Sequence, residues 1–171
     1  MAHEITIRPE TGDDHVAIGR VITEAFAGMP YADGDEAELV EALRREGAIS
    51  LSLVADLDGT VVGQVVLSPA LAADGTAGWY ALGPVAVARE YQRAGIGSRL
   101  IGVALDGITQ LGANGCILVG DPAYYRRFGF ELSPLNAPVG EPAEFFMVKL
   151  LSDRKRPSGA IAFHRAFASG A

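Results

Sequence analysis

The segment from Tyr80 to Val119 constrains the fold more than any other part of the chain. Tyr80 to Ala88 reads as a strand, interrupted by Gly83-Pro84, where proline removes a ladder donor and predicts a bulge or a splay. Arg89-Glu-Tyr-Gln-Arg-Ala-Gly-Ile-Gly-Ser98 follows. From Gly97 onward, Leu100, Ile101, Ala104, Leu105, Ile108 and Leu111 recur at helical spacing, and Gly112 ends them. Cys116 to Val119 is then a continuous apolar run bounded by glycines, as a buried central strand is. The segment is therefore one β-α-β unit with a glycine loop at its first turn. Gly95 and Gly97 let the backbone enter the helix with its first N–H groups exposed, and a dipole end of about half a charge favours an anion there. A phosphate or pyrophosphate fits. The dinucleotide fingerprint does not, since Gly95-Ile-Gly97-Ser-Arg-Leu100 lacks its third glycine, and no Walker-type Gly-Lys-Ser/Thr is present.

Around this unit the chain alternates short elements. His3 to Pro9 reads as a strand through Ile5 and Ile7. Ile18, Val21, Ile22, Ala25 and Phe26 form a helix with Asp13 or Asp14 placed to cap it, and Asp33 to Glu46 forms a second, acidic helix. Ser50 to Asp56 and Thr60 to Pro69 flank Asp58-Gly59, a strong two-residue hairpin signal. Pro122 to Phe128 fits two helical turns with proline in the first position, and Glu144 to Leu151 and Ala160 to His164 are the last strands. The order β-α-α-β-β-β-α-β-α-β-β predicts an α+β fold, with a mixed, mainly antiparallel twisted sheet, a central β-α-β unit and helices on both faces. No linker or repeat divides residues 1 to 171, so one domain is expected. A chain of this length buries roughly 70% of its unfolded surface, and 49% apolar residues build the core without disulfides. The single cysteine, Cys116, reads as a core thiol.

Charge narrows the partners. Residues 1 to 46 hold eleven acids and four bases, while residues 47 to 171 hold ten of each, so the whole net charge of −7 sits in the first quarter. That balance argues against a nucleic-acid partner, which needs a basic surface. The start, Met1-Ala2-His3-Glu4, has no basic region leading into an apolar run, and Thr60 to Ala73 is interrupted by Gly63, Gln64, Ser68 and Pro69, well short of a membrane span. A soluble cytoplasmic protein, with no membrane partner, is the expectation. Exposed apolar final strands would favour a homodimer.

Two motifs carry a resemblance. Gln92-x-x-Gly95-x-Gly97 matches a Gln/Arg-x-x-Gly-x-Gly/Ala signature that is permissive alone, and Tyr125-Arg-Arg-Phe-Gly129-Phe130 matches a rarer second motif one helix and one strand later. Together they resemble the GNAT superfamily of N-acetyltransferases. Ile7-Arg-Pro9, Ala25-Phe26, Val85-Ala-Val87 and the closing strands extend the likeness over nearly the whole chain. Asp35 to Arg44, Leu82-Gly-Pro84, Tyr124-Tyr125 and Ala160 to Phe167 look like a subfamily of small bacterial acetyltransferases. The resemblance implies acetyl-coenzyme A as cosubstrate and no metal. It also implies that the backbone of Val85, Ala86 and Val87 pairs with the pantetheine amides at a strand splay. The loop residues Gln92, Arg93, Ala94, Gly95, Ile96, Gly97 and Ser98 would bind the cofactor, with N–H groups from Arg93 to Ser98 holding its pyrophosphate. The chain departs from the family pattern at Arg89, where proline is usual, at Leu118, where asparagine is frequent, and in the short loop Gly120-Asp-Pro122.

Acetyl transfer to an amine requires a deprotonated nucleophile, a donor for the developing oxyanion and a proton for the departing thiolate. Tyr125 is the candidate acid. A phenol near pKa 10 protonating a thiolate whose acid lies near 8.5 works uphill by about 2 kcal/mol, within reach of a positioned acid. The alternative for Tyr125 is packing beside Phe128 and Phe130; Tyr124, one position off the motif, is the neighbouring candidate. The Val87 N–H is the candidate oxyanion donor. Glu24, Glu36 and Glu41 are candidate bases, each also readable as a surface carboxylate, and His3, His15 and His164 lie scattered. Phe26, Met29, Tyr31, Trp79 and Tyr80, with Phe145 and Phe146, are candidate pocket walls or core. A non-catalytic acyl-coenzyme A binding module would carry the same loop, and a nucleotide-binding protein of another class would respond to nucleotides but not to coenzyme A. The acidic first quarter predicts a cationic amine as acceptor, a small molecule or a peptide.

Overall fold

The computed structural model describes residues 4–30, 32 and 34–168. In chain order the elements are β1 (Ile5–Pro9), α1 (His15–Phe26), α2 (Glu36–Arg45), β2 (Leu51–Leu57), β3 (Thr60–Pro69), β4 (Leu71–Ala72), β5 (Trp79–Val87), α3 (Ile96–Gln110), β6 (Gly115–Val119), α4 (Pro122–Tyr125), β7 (Glu131–Leu132), β8 (Phe146–Leu150) and β9 (Ile161–Ala162). Seven strands form one sheet in the order β1-β2-β3-β5-β6-β8-β7. Every pairing in it is antiparallel except β5 with β6, the two strands joined by α3. β4 and β9 pair separately, as a two-stranded ribbon.

Local chemistry explains most of these elements. The β2–β3 hairpin turns on Asp58 and Gly59, both at positive φ (50° and 91°), as a type I′ turn requires. Pro69 stands opposite Tyr80, while the adjacent Ala70 N–H bonds Trp79 O at 2.9 Å. Alternation along the pair therefore puts Pro69 where no ladder donor is needed. At α1, Asp14 holds the N-cap position, but its carboxylate does not cap the helix. It turns back to accept Thr11 N–H at 2.7 Å and Arg8 at 2.8 and 3.0 Å, because a guanidinium within reach outcompetes the helix amides. Arg8 holds the Asp14 carboxyl well below the usual carboxylate range.

Helices cover both faces. On one face α3 seats Leu100, Ile101, Ala104 and Ile108 against Leu53, Val62, Val65, Leu67 and Leu82, and each fully buried Leu or Ile contributes about 1.5–3 kcal/mol. On the other, α1 and α2 cover Val54, Val61, Val66 and Ala86. Beside that second cluster, Trp79, Ala81, Ile117, Phe146, Val148 and Ile161 form a further core, closed by Phe163 and Phe167. Phe146, Met147, Val148 and Ile161 are buried. The final strands, whose expected exposure supported the homodimer expectation, are therefore mostly covered by the chain itself, with Leu150 and the neighbouring Phe145 left exposed. Among the described residues no helix is long and apolar enough to cross a membrane.

Candidate functional site

The parallel pair at the centre of the sheet is short. β5 and β6 are in register only at Trp79–Gly115, Tyr80–Cys116 and Ala81–Ile117, after which the strands part. On its other side β5 stays paired with β3 out to Val87, with a register break between Val65 and Leu67 opposite Gly83-Pro84. The interruption predicted at Gly83-Pro84 is thus both a bulge and a splay. Ala88 N–H bonds Val62 O at 2.8 Å. Alternation from that bond directs the N–H and C=O of Ala86 toward β3 and those of Val85 and Val87 toward the gap. Of the three residues read as pairing with pantetheine, Val85 and Val87 have backbone groups aimed into the opening, and Ala86 spends its own on the sheet.

The mouth of the gap is the loop into α3. Gln92 Nε2 donates to Val87 O at 2.9 Å, so the signature glutamine locks the loop onto the strand end. Arg93 (φ 66°) and Gly95 (φ 83°) are both left-handed, and Gly95 is the N-cap of α3. Successive turns of this kind line up backbone N–H groups in an anion-binding nest. The N–H groups of Ile96, Gly97 and Ser98 lie in the first turn of a 15-residue helix, where no intrahelical acceptor exists. Donors in that pattern suit a pyrophosphate, and the Val85 N–H and C=O with the Val87 N–H, turned toward the gap, suit a chain of secondary amides leading inward.

Two tyrosines stand across from this loop. Asp121 caps α4 by accepting Ala123 N–H at 2.9 Å, with Pro122 in the first turn. Tyr124 reaches α3: its hydroxyl lies 3.1 Å from Ser98 Oγ, and Arg127 covers its ring, with Cζ 4.4 Å from the centroid. A Cβ added at Gly97 would lie 3.7 Å from that hydroxyl and 3.8 Å from Val87 Cγ2. Tyr125 lies along the end of β6. Its ring packs on Gly120, where an added Cβ would come within 2.5 Å of Cε2, and makes edge contacts with Tyr124 and Phe130 at 5.0 and 6.1 Å between centroids. Both rings are half-buried. The Tyr124–Ser98 pair was not legible in the sequence, although Tyr124-Tyr125 flagged the neighbourhood. Leu118, in place of the frequent asparagine, is buried beneath Gly120 and Tyr125.

The remaining candidates separate. Phe26 and Met29 are half-buried at the end of α1, and Phe145 is 46% exposed beside the β6 lip, where its carbonyl accepts Gly120 N–H. Trp79 is 3% exposed in the core at the paired end of β5, Tyr80 packs toward the α3 face, and Phe146 is buried, so none of these three is brought to the opening. Tyr31 and His3 lie outside the described residues. Glu41 is paired with Arg44 at 2.6 Å, Glu24 is exposed, and Glu36 is half-buried on α2. His15 bonds Glu10 and His164 accepts Ala166 N–H, each away from the gap. Cys116 is fully buried, and burial pushes its thiol far up, which makes it an inert core residue.

Comparison with known proteins agrees with this geometry. A family model described as an acetyltransferase (GNAT) domain matches residues 48–132. The uncharacterized N-acetyltransferase YhbS of Escherichia coli K12 is 39% identical over 111 residues, 64% of this chain and 66% of that protein, so the chain's match spans just under two thirds of that relative. A GNAT family acetyltransferase from Brucella melitensis, solved in complex with acetyl-CoA, is 40% identical with a TM-score of 0.86, covering 97% of this chain and 99% of that one. The structure of Escherichia coli YhbS in complex with CoA is 31% identical with a TM-score of 0.88, covering 98% and 94%.

Proposed function

The chain belongs to the GNAT acetyltransferase family, and on that premise we propose that it transfers the acetyl group of acetyl-coenzyme A to a primary amine by direct attack in a ternary complex. The observation that carries this reading is the gap between β5 and β6, whose pairing stops after Ala81–Ile117 and whose mouth is the N-terminus of α3. In that gap the backbone of Val85 pairs with a pantetheine amide, and the Val87 N–H is left to face the thioester. The N–H groups from Arg93 to Ser98 hold the pyrophosphate. Complexes of the Brucella and Escherichia relatives with acetyl-CoA and CoA support the choice of cosubstrate.

At the open end of the gap the Val87 N–H donates to the developing oxyanion, and Tyr125, on the opposite lip, protonates the departing thiolate. Tyr124, its hydroxyl engaged by Ser98, forms the wall of the cofactor channel. An amine of lysine-like pKa costs about 4.6 kcal/mol to deprotonate at pH 7 and an α-amine only about 1 kcal/mol, so the demand on a base is set by the acceptor. Phe26 and Met29 wall the acceptor side. The excess of acids in residues 1 to 46 favours a cationic amine.

The test is thiol release from acetyl-coenzyme A over a panel of amines, with coenzyme A binding followed by thermal shift. Stabilisation together with release confirms the reading. Stabilisation with no release from any amine marks a binding module, and no stabilisation removes the cofactor assignment. Replacing Asp35, Glu36, Glu38 and Glu41 by their amides raises KM for a cationic amine and flattens its salt dependence; an unchanged KM leaves these acids as a solvated helix face.

A further inference from the structure

The turn between β5 and α3 begins with an exposed arginine at the position where the family pattern usually has proline. Arg89 Nε donates to Glu24 O at 3.2 Å, and its Nη2 donates to Ala27 O. Both acceptors lie at the end of α1, where the last carbonyls have no intrahelical partner and the helix dipole presents about half a negative charge. Ala27 is the C-cap, and Gly28 follows at φ 76°. The nearest atom to a Cβ added at Gly28 is Arg89 Nη2 at 4.0 Å, so the guanidinium lies directly against this turn. On its own side Arg89 opens the 3-10 turn Arg89–Tyr91. Its carbonyl accepts Gln92 N–H at 3.3 Å, and the Gln92 side chain returns to Val87 O. One side chain joins the loop that faces the anion site to a helix end 62 residues earlier in the chain. Proline at this position would supply neither donor.

The geometry points to Arg89 as a positioning residue that couples the cofactor loop to the acceptor side: when coenzyme A orders residues 89–98, the two Arg89 hydrogen bonds transmit that order to the end of α1 and the turn at Ala27–Gly28–Met29. The inference rests on the reading of residues 89–98 as the coenzyme A loop. Linkage makes the coupling reciprocal, so an amine held by the α1 end tightens coenzyme A by the same factor.

Hydrogen exchange on the full chain, with coenzyme A itself as probe, decides it. In the wild type, coenzyme A slows exchange at the 93–98 amides and also slows Ala27, Gly28 and Met29 by about fivefold or more, the low end of ordinary coupling. In Arg89→Ala the 93–98 response remains and the response at Ala27 to Met29 disappears; Arg89→Lys restores part of it. The inference fails if Ala27 to Met29 respond equally in Arg89→Ala. It fails too if they never respond in a wild type whose loop does, or if Arg89→Ala loosens them with and without coenzyme A while leaving the increment intact, which is the behaviour of a helix cap alone. A ligand-free comparison separates this from the cofactor reading. Arg89→Ala speeds exchange at both Ala27–Met29 and the 90–97 loop, and an effect confined to one segment overturns the coupling. If coenzyme A leaves the wild-type loop unchanged, the cofactor reading falls, and the ligand-free comparison still decides the tie.

Discussion

The two halves of β5 share a strand and differ in everything that surrounds it. From Trp79 to Ala81 both edges are paired, with β3 on one side and β6 on the other, and Trp79 is sealed in the core against Gly115. After the break at Gly83-Pro84, from Val85 to Val87, one edge is again held by β3, while the other faces the gap with backbone groups of Val85 and Val87. The paired half is limited by volume, because any added atom meets a neighbour that cannot move. The splayed half is limited by direction, because its value lies in backbone groups that neighbouring strands leave unclaimed. Substitutions in the first half should register in stability and those in the second in binding and turnover.

The largest expected effect is on the paired side. A Cβ at Gly115 would sit 2.5 Å from the Trp79 ring and 2.8 Å from the backbone oxygen of Lys149, so Gly115→Ala is expected to cost about 3 kcal/mol in denaturant unfolding. An unaltered midpoint would erase the contrast. At the splayed end, Tyr125→Phe should lower kcat by about 100-fold or more, with the alkaline limb of the pH profile moved. Gly120→Ala sharpens this result, because its Cβ displaces the Tyr125 ring without removing the hydroxyl and should reproduce most of the loss in kcat. If Tyr124→Phe were the variant that lost kcat, the acid role would pass to the neighbouring ring.

Asp14 provides a reference distant from both halves. Its carboxyl is held below the ordinary carboxylate range by Arg8, so the ionised form stabilises the fold above about pH 4, and that contribution disappears as pH falls through and below the usual range. Asp14→Asn should cost about 2 kcal/mol near neutrality and flatten this part of the acid dependence, with kcat and KM unaffected. The smallest effect is expected at Gly63 on β3, across from Val87. An added Cβ there meets Leu100 Cδ1 at 3.1 Å and Ala86 O at 3.3 Å, and Gly63→Ala should cost about 1 kcal/mol in chemical denaturation.

Much of the fold was legible because its signals are local. Asp58-Gly59 specifies its own hairpin, the strand read from Thr60 to Pro69 has the bounds that β3 has, and the apolar face from Leu100 to Ile108 marks α3. The glycine loop was legible for the same reason: Gly95 supports the positive φ that its helix entry needs. Ala160 to His164 marked β9, but its partner Leu71–Ala72 and the pairing of the two were not legible, since two residues carry no periodicity and the strands lie about ninety positions apart. β7 escaped for the same want of length. Trp79 reads equally as a pocket wall or as core from its type alone, and only its contact with Gly115 makes it core. The carboxylate read as a cap at Asp14 is taken by Arg8 and the Thr11 N–H instead, a competition that the local pattern does not weigh.

Residue order alone determined the element sequence, the central β-α-β unit, the anion-ready entry to α3 and the family, because helical period, turn chemistry and helix-terminal N–H groups act within a few residues. The assembled structure decided where β5 parts from β6, which amides face the gap, which tyrosine meets Ser98, and that Arg89 reaches the end of α1. Each of those depends on distances between segments far apart in the chain. Such distances are settled when the two faces of the sheet are packed, and no local propensity encodes them.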